Sequence, residues 1–273
     1  MPSEIFHVQG KTAVVTGGSG ALGRAISLAL GQAGVRVVIL GRRAAPIDTV
    51  VQQIRASGGE ALGISCDVLD KASLEQAHKR IADTFGSVDI LINGAGGNHP
   101  QATTNNEQSF FDLDLTAIDS VFRLNFTGTL LCCQVFGRDM VERKQGCIVN
   151  IASMNGIRPL TRIPAYSAAK AATTNFTQWL AVHMAQEYSN NIRVNAIAPG
   201  FFLTEQNRFL LTNPQDNSLT ARGQAIIDHT PMRHLGTPED LIGTLLWLVS
   251  PASAFVTGII VPVDGGFSSF SGV

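Results

Sequence analysis

The sequence predicts an α/β protein built on a doubly wound, mainly parallel sheet of seven strands. Short apolar runs rich in Val and Ile alternate along the chain with segments of helical period. That alternation marks strand–helix–strand units with right-handed crossovers. The runs are continuous rather than alternately polar, as expected of strands covered by helices on both faces. No linker, repeat or compositional break divides the 273 residues, so 1–273 reads as one domain.

The elements follow in order. "TAVVTG" leads into a helix with Leu22, Ile26, Ala29, Leu30 and Ala33 on one face. "VRVVILG" precedes a helix over Val50 to Ala56, and "ALGISCDV" one over Ser73 to Phe85. "VDILINGAG" leads through a long region into a helix from about Asp119 to Val141. "GCIVNIAS" is followed by a helix from Tyr166 to Glu187, and "IRVNAIAPG" by a polar insertion over about 201–235. A buried helix, Glu239 to Val249, and a buried strand, Gly258 to Val263, close the pattern. Leu241 to Val263 carries no charge and is long enough to span a bilayer, but Pro251 and "SPASA" interrupt it, so no membrane span is expected.

The composition is 45% hydrophobic and 15% charged, enough for a large core. A net charge of -1 argues against nucleic-acid or anionic-membrane partners. Cys66, Cys132, Cys133 and Cys147 form no CxxC and no metal-ligand spacing with histidine, so they read as buried reduced thiols and no metal is expected. The N-terminal residues lack a basic region followed by an apolar run, which points to the cytoplasm.

In such sheets chemistry gathers beyond the carboxyl ends of the strands. Gly18 to Gly23 fits G-x-G-x-x-G between the first strand and its helix. Glycine lets the backbone approach a pyrophosphate, and the helix N-terminus offers free N–H groups to the anion. Gly17, Ser19, Gly20 and Leu22 are therefore candidate cofactor contacts. After the second strand, where an acid commonly binds the ribose hydroxyls, stand Gly41, Arg42 and Arg43. A small residue leaves room for a 2′-phosphate and arginine can clamp it, so NADP is expected, with NAD the alternative.

"AYSAAKAA" places Tyr166 and Lys170 at i and i+4 on one helix face. A nearby cation favours the phenolate and lowers the phenol pKa from about 10, which suits acid–base work. Ser153 ends the strand just upstream.

With these motifs the chain resembles the short-chain dehydrogenase/reductase family over nearly its full length, implying a Rossmann fold and NAD(P)-dependent carbonyl/alcohol chemistry. The family writes TGxxxGxG at the first turn. Thr16, Gly17 and Gly23 match, whereas Ala21 replaces the middle glycine, with Gly18 and Gly20 expected to supply the missing freedom. The resemblance makes Tyr166 the general acid/base, Lys170 its partner and a ribose contact, Ser153 a donor to the carbonyl oxygen, and Asn125 in "LNFTG" a support for a relay water. Asp67 and Val68 fall beside the adenine, Asn93 to Gly96, including Ala95, under the adenosine, and Asn195 with Pro199, Gly200 and Thr204 near the carboxamide. It also implies a homotetramer built partly on the final helix and strand.

The segments expected to rim the substrate pocket are polar. They offer Asn98, His99, Asn155, Gln206 and Arg208 as candidate substrate contacts, while Arg158 and Arg162 read as loop surface. "NGAGGNHPQAT", "SMNG" and "RVNAIAPGFFLTEQNR" resemble a narrower group, the short-chain fructuronate reductases or D-mannonate oxidoreductases. That group implies a sugar-acid substrate. Gluconate-type and 3-oxoacyl reductases are the alternatives, and a non-catalytic nucleotide-binding regulator is the reading from another class.

Overall fold

The computed structural model describes residues 4–204, 208–213 and 215–272. Its strands are β1 (Thr12–Thr16), β2 (Arg36–Gly41), β3 (Ala61–Ser65), β4 (Ile90–Asn93), β5 (Gly146–Ile151), β6 (Ile192–Pro199) and β7 (Ile260–Val263). They form one sheet in the order β3-β2-β1-β4-β5-β6-β7, and every pairing is parallel. The helices are α1 (Ala21–Gln32), α2 (Ala44–Ala56), α3 (Lys71–Phe85), α4 (Leu115–Phe122), α5 (Gly128–Glu142), α6 (Pro164–His183), α7 (Arg208–Leu211), α8 (Ala221–Asp228) and α9 (Ile242–Val249).

The continuous apolar runs are explained by the pleat, which sends successive side chains to opposite faces. Ala13, Val15, Val37, Ile39, Ile90, Ile92 and Val149 join one buried cluster with residues of α1, α2 and α9. Val14, Val38, Leu40, Leu91 and Ile148 join the other with residues of α3, α5 and α6. Both faces are covered by helices, which accounts for the lack of regular polar alternation. All four cysteines are buried and free.

Several boundaries differ from the sequence reading. Helix α2 begins at Ala44 because Pro46 is tolerated in a first turn and Ile47 extends the apolar face of Val50, Val51 and Ile54. Helix α3 begins at Lys71, where the Asp70 carboxylate accepts hydrogen bonds from the N–H groups of Ala72 and Ser73. The helix expected over Asp119 to Val141 is two helices joined by a π turn, Arg123–Thr127. A second π turn, Met184–Tyr188, continues α6 past His183. The insertion over 201–235 contains α7 and α8. The last helix proper starts at Ile242, after a 3₁₀ turn at Pro238–Leu241.

The final strand is a correction. It was expected to be buried, yet Pro262 is exposed and its neighbours only half-buried. As the last strand of the sheet, β7 has β6 on one side alone. Among the described residues no helix is long and apolar enough to cross a membrane.

The order of the strands positions the site. From β1 the chain winds outward to β3, then returns to lay β4 against the opposite edge of β1. The two connections diverge at that point and leave a crevice at the carboxyl ends.

Candidate active site

A cavity of about 810 Å³ fills this crevice. Its walls come from the segments that follow β1, β2, β3, β4, β5 and β6. Gly17, Ser19, Gly20, Ala21, Leu22 and Gly23 form one wall, Gly41, Arg42 and Arg43 one end, and Cys66, Asp67 and Val68 lie beside them. Ala95, Gly96, Pro199, Gly200 and Thr204 line it further along, with Ser153, Tyr166 and Lys170.

The first turn is held by backbone fit. Gly17 has φ +65°, a conformation glycine adopts freely. A Cβ on Gly23 would lie 2.2 Å from the Gly17 carbonyl oxygen, so that close crossing admits only hydrogen. Sequence reasoning assigned the needed freedom to Gly18 and Gly20; it resides in Gly17, and neither Gly18 nor Gly20 has positive φ. Ala21 opens α1, where an ordinary helical conformation tolerates its methyl. The Thr16 hydroxyl accepts hydrogen bonds from Gly94 N–H and Ala95 N–H, both at 3.1 Å, and ties this turn to the one after β4. That role of Thr16 went unread, although the residue was noted in the motif.

Helix α1 has no side-chain cap on its N-terminus, unlike α3 and α4, which each carry an aspartate there. Its first N–H groups are thus left for an anion at the cavity wall. A turn closed by glycine and an uncapped helix start together fit a dinucleotide pyrophosphate.

At the far end of the cavity, the Lys170 ammonium lies 5.6 Å from the centre of the Tyr166 ring and donates to the Ile151 carbonyl at 2.7 Å. Burial without a carboxylate partner brings Lys170 down to about 8. Burial also pushes the Tyr166 phenol above its ordinary value, while the Ser153 hydroxyl acts in the opposite direction. The sequence pointed to a phenol lowered by Lys170, whereas in the folded chain burial is the larger influence and raises it. In this chain desolvation disfavours both charged forms, and the Ser153 hydroxyl supplies the counteracting interaction.

Asn125 is fully buried within the first π turn. Its amide donates to the carbonyls of Gly97 (2.7 Å) and Val121 (2.8 Å) and accepts from Gly97 N–H (3.2 Å). The side chain is thus spent on pinning the segment after β4, and the Asn125 backbone carbonyl accepts the Thr129 and Thr173 hydroxyls.

Two cofactor candidates turn away from the cavity. Asn93 is 2% exposed, and its amide donates to Asn150 and Cys133 beneath the floor. Asn195 is fully buried and bonds Val256 O and Ile259 N, holding the approach to β7.

The substrate candidates are dispersed. Asn98 donates to the Thr103 hydroxyl and His99 accepts from Gln101 N–H, so both close a local turn instead of lining the cavity. Asn155 is buried against Ser153 and Ser167. Arg208 starts the short helix α7 and is exposed outside the cavity lining. Gln206 lies outside the described residues. Arg158 and Arg162 are exposed, as expected. Leu124, Ile151, Ala152 and Phe202 line the cavity and were missed, since an apolar residue carries no mark of which wall it will face.

The model of the short chain dehydrogenase family matches residues 11–215. The chain belongs to this family. It is an oxidoreductase of the dehydrogenase/reductase type, and its cofactor is a nicotinamide dinucleotide. UxuB of Bacillus subtilis, an uncharacterized oxidoreductase, is 52% identical over 98% of both chains. A Haemophilus influenzae protein provisionally described as a D-mannonate oxidoreductase, solved with bound NAD, is 43% identical with a TM-score of 0.93 over 98% of both chains. An Agrobacterium tumefaciens protein provisionally described as a 2-deoxy-D-gluconate 3-dehydrogenase, solved with NADP, is 32% identical with a TM-score of 0.82, over 97% of this chain and 99% of that one.

Proposed function

We propose that the protein interconverts a ketone and a secondary alcohol on a sugar acid of the fructuronate/mannonate type, with NADP preferred over NAD. The observation that carries the catalytic reading is the convergence of Ser153, Tyr166 and Lys170 on one end of the dinucleotide cavity. The sugar-acid reading rests on sequence likeness and is supported by the similarity to a protein described as a D-mannonate oxidoreductase. The NADP reading rests on Gly41 and Arg42 at the cavity end.

Gly17, Ser19, Gly20 and Leu22 would hold the pyrophosphate, Asp67, Val68 and Ala95 the adenosine, and Pro199, Gly200 and Thr204 the nicotinamide end. When bound, the nicotinamide supplies hydride-transfer chemistry. Tyr166 gives or takes the proton at the substrate oxygen, and Ser153 donates a hydrogen bond to the same oxygen as charge develops there. Lys170, protonated below about 8, favours the phenolate and contacts the nicotinamide ribose. Asn125 positions the wall after β4. We further propose a cytoplasmic homotetramer, for which the half-exposed β7 and the fully exposed Phe255 near it leave apolar surface to cover.

The test is a panel of sugar acids and ketoacids with both cofactors, followed at the nicotinamide absorbance, on wild type and Tyr166→Phe. Turnover of mannonate or fructuronate above gluconate-type and 3-oxoacyl compounds, lost by orders of magnitude in the variant with cofactor binding retained, is the expected result. Near-normal turnover in Tyr166→Phe refutes the assigned role.

A further inference from the structure

Three buried polar side chains are linked at the catalytic end of the cavity, where Ser153 lines it and Asn155 and Ser167 do not. Ser153, Asn155 and Ser167 are 5%, 8% and 9% exposed. The Ser153 oxygen accepts two hydrogen bonds from the same residue, one from Asn155 N–H at 3.2 Å and one from the Asn155 side-chain amide at 3.3 Å. The Asn155 carbonyl oxygen in turn accepts the Ser167 hydroxyl at 3.0 Å.

A hydroxyl has two acceptor sites and one hydrogen. Both acceptor sites of Ser153 are filled by Asn155, so its hydrogen is left to be donated. The amide is oriented with its oxygen on the Ser167 hydroxyl and its nitrogen on Ser153. An amide reversed end for end would present an oxygen, and that oxygen would compete for the hydrogen Ser153 needs. The sequence reading had placed Asn155 at the substrate; the structure shows it buried behind Ser153 instead.

We propose that Asn155 is a positioning residue, held by Ser167, that commits the Ser153 hydroxyl to donating toward Tyr166 and the substrate oxygen. The inference rests on the catalytic reading of Ser153 and Tyr166 given above. The charged neighbour of the phenol is Lys170, whose ammonium lies 5.6 Å from the ring centre. Lys170 is unchanged in every variant below, so it cannot account for differences among them.

The experiment needs no substrate. The chain has two tyrosines, Tyr166 and Tyr188. Phenolate absorbance is titrated against pH in the full-length protein, with Tyr166→Phe used to subtract Tyr188. Ser153→Ala removes the donor and should move the Tyr166 titration up by about one to two pH units. Asn155→Ala should reproduce at least half of that shift, and Ser167→Ala a smaller part. Added to Ser153→Ala, Asn155→Ala should do nothing more, because it acts only through the serine.

A wild-type phenol titration in Asn155→Ala, beside a shifted one in Ser153→Ala, overturns the inference. So does an equal Asn155→Ala effect with and without Ser153. If Asn155→Ala does not fold, Ser167→Ala decides alone: an unshifted phenol refutes the hold. No shift in Ser153→Ala would instead overturn the pairing of serine and tyrosine, a failure distinct from that of Asn155.

Discussion

Replacing Gly41 with Asp and Arg42 with Gln should convert a protein that prefers NADPH into one that prefers NADH. The structure leaves room for a Cβ at Gly41. A Cβ on Gly41 would lie 3.5 Å from Ile47 Cδ1 and 3.6 Å from Ser19 Oγ, ordinary contact distances. Gly41 is not among the residues with positive φ, so the new side chain meets no backbone penalty. The carboxylate would stand at the end of β2 among lining residues that include Ser19 and Arg43. A charge-assisted hydrogen bond from Arg42 to a phosphate is worth roughly 1.5–3 kcal/mol, about tenfold to a hundredfold in affinity. Removing it and adding a like charge should each act against the phosphate, so the ratio of NADPH to NADH dissociation constants should rise by about a hundredfold or more. Titration of nicotinamide fluorescence with wild type and variant measures that ratio. Wild type binding NADH as tightly as NADPH, or more tightly, would refute the reasoning. Arg42 and Arg43 would then be solvated surface residues.

Three further outcomes are expected. Gly23→Ala places a methyl against the Gly17 carbonyl, where nothing but backbone can yield, and should abolish measurable cofactor binding in the same titration. His78 is raised above its ordinary value chiefly by its 2.7 Å hydrogen bond to Asp139, which also accepts Val88 N–H. The stabilisation is fully present below the unfolded-state pKa of about 6.5 and fades as pH rises through the higher folded value, so His78→Gln should cost roughly 1.5–3 kcal/mol near pH 5.5 and progressively less in alkali. Thermal melts across pH test this, and a pH-independent difference would contradict it. Light scattering at micromolar concentration should show a tetramer, and a clean monomer would remove the proposed role of β7.

Local physics was enough to read much of this protein. Apolar runs flanked by helical period specify strands covered on both sides, because only a two-faced core accepts consecutive large apolar residues. A glycine turn before a helix marks an anion site, because the backbone geometry is local. Tyr166 and Lys170 were visible for the same reason, since four residues on a helix bring two side chains together wherever the helix sits.

Relations between distant segments were not legible. The tie from Thr16 to Gly94 and Ala95 spans more than seventy residues and arises only when β1 meets β4. Asn93, Asn155 and Asn195 looked like cofactor or substrate contacts because each follows or belongs to a strand near the cavity. Packing turned all three amides to partners behind its walls. The protonation of the site was decided at the same level. The spacing of lysine and tyrosine pointed to a depressed phenol, yet folding buried both groups and left the Ser153 hydroxyl to oppose the cost of desolvation. Spacing along a helix states which groups can meet, whereas the loss of water around them exists only once the whole sheet has closed over the site.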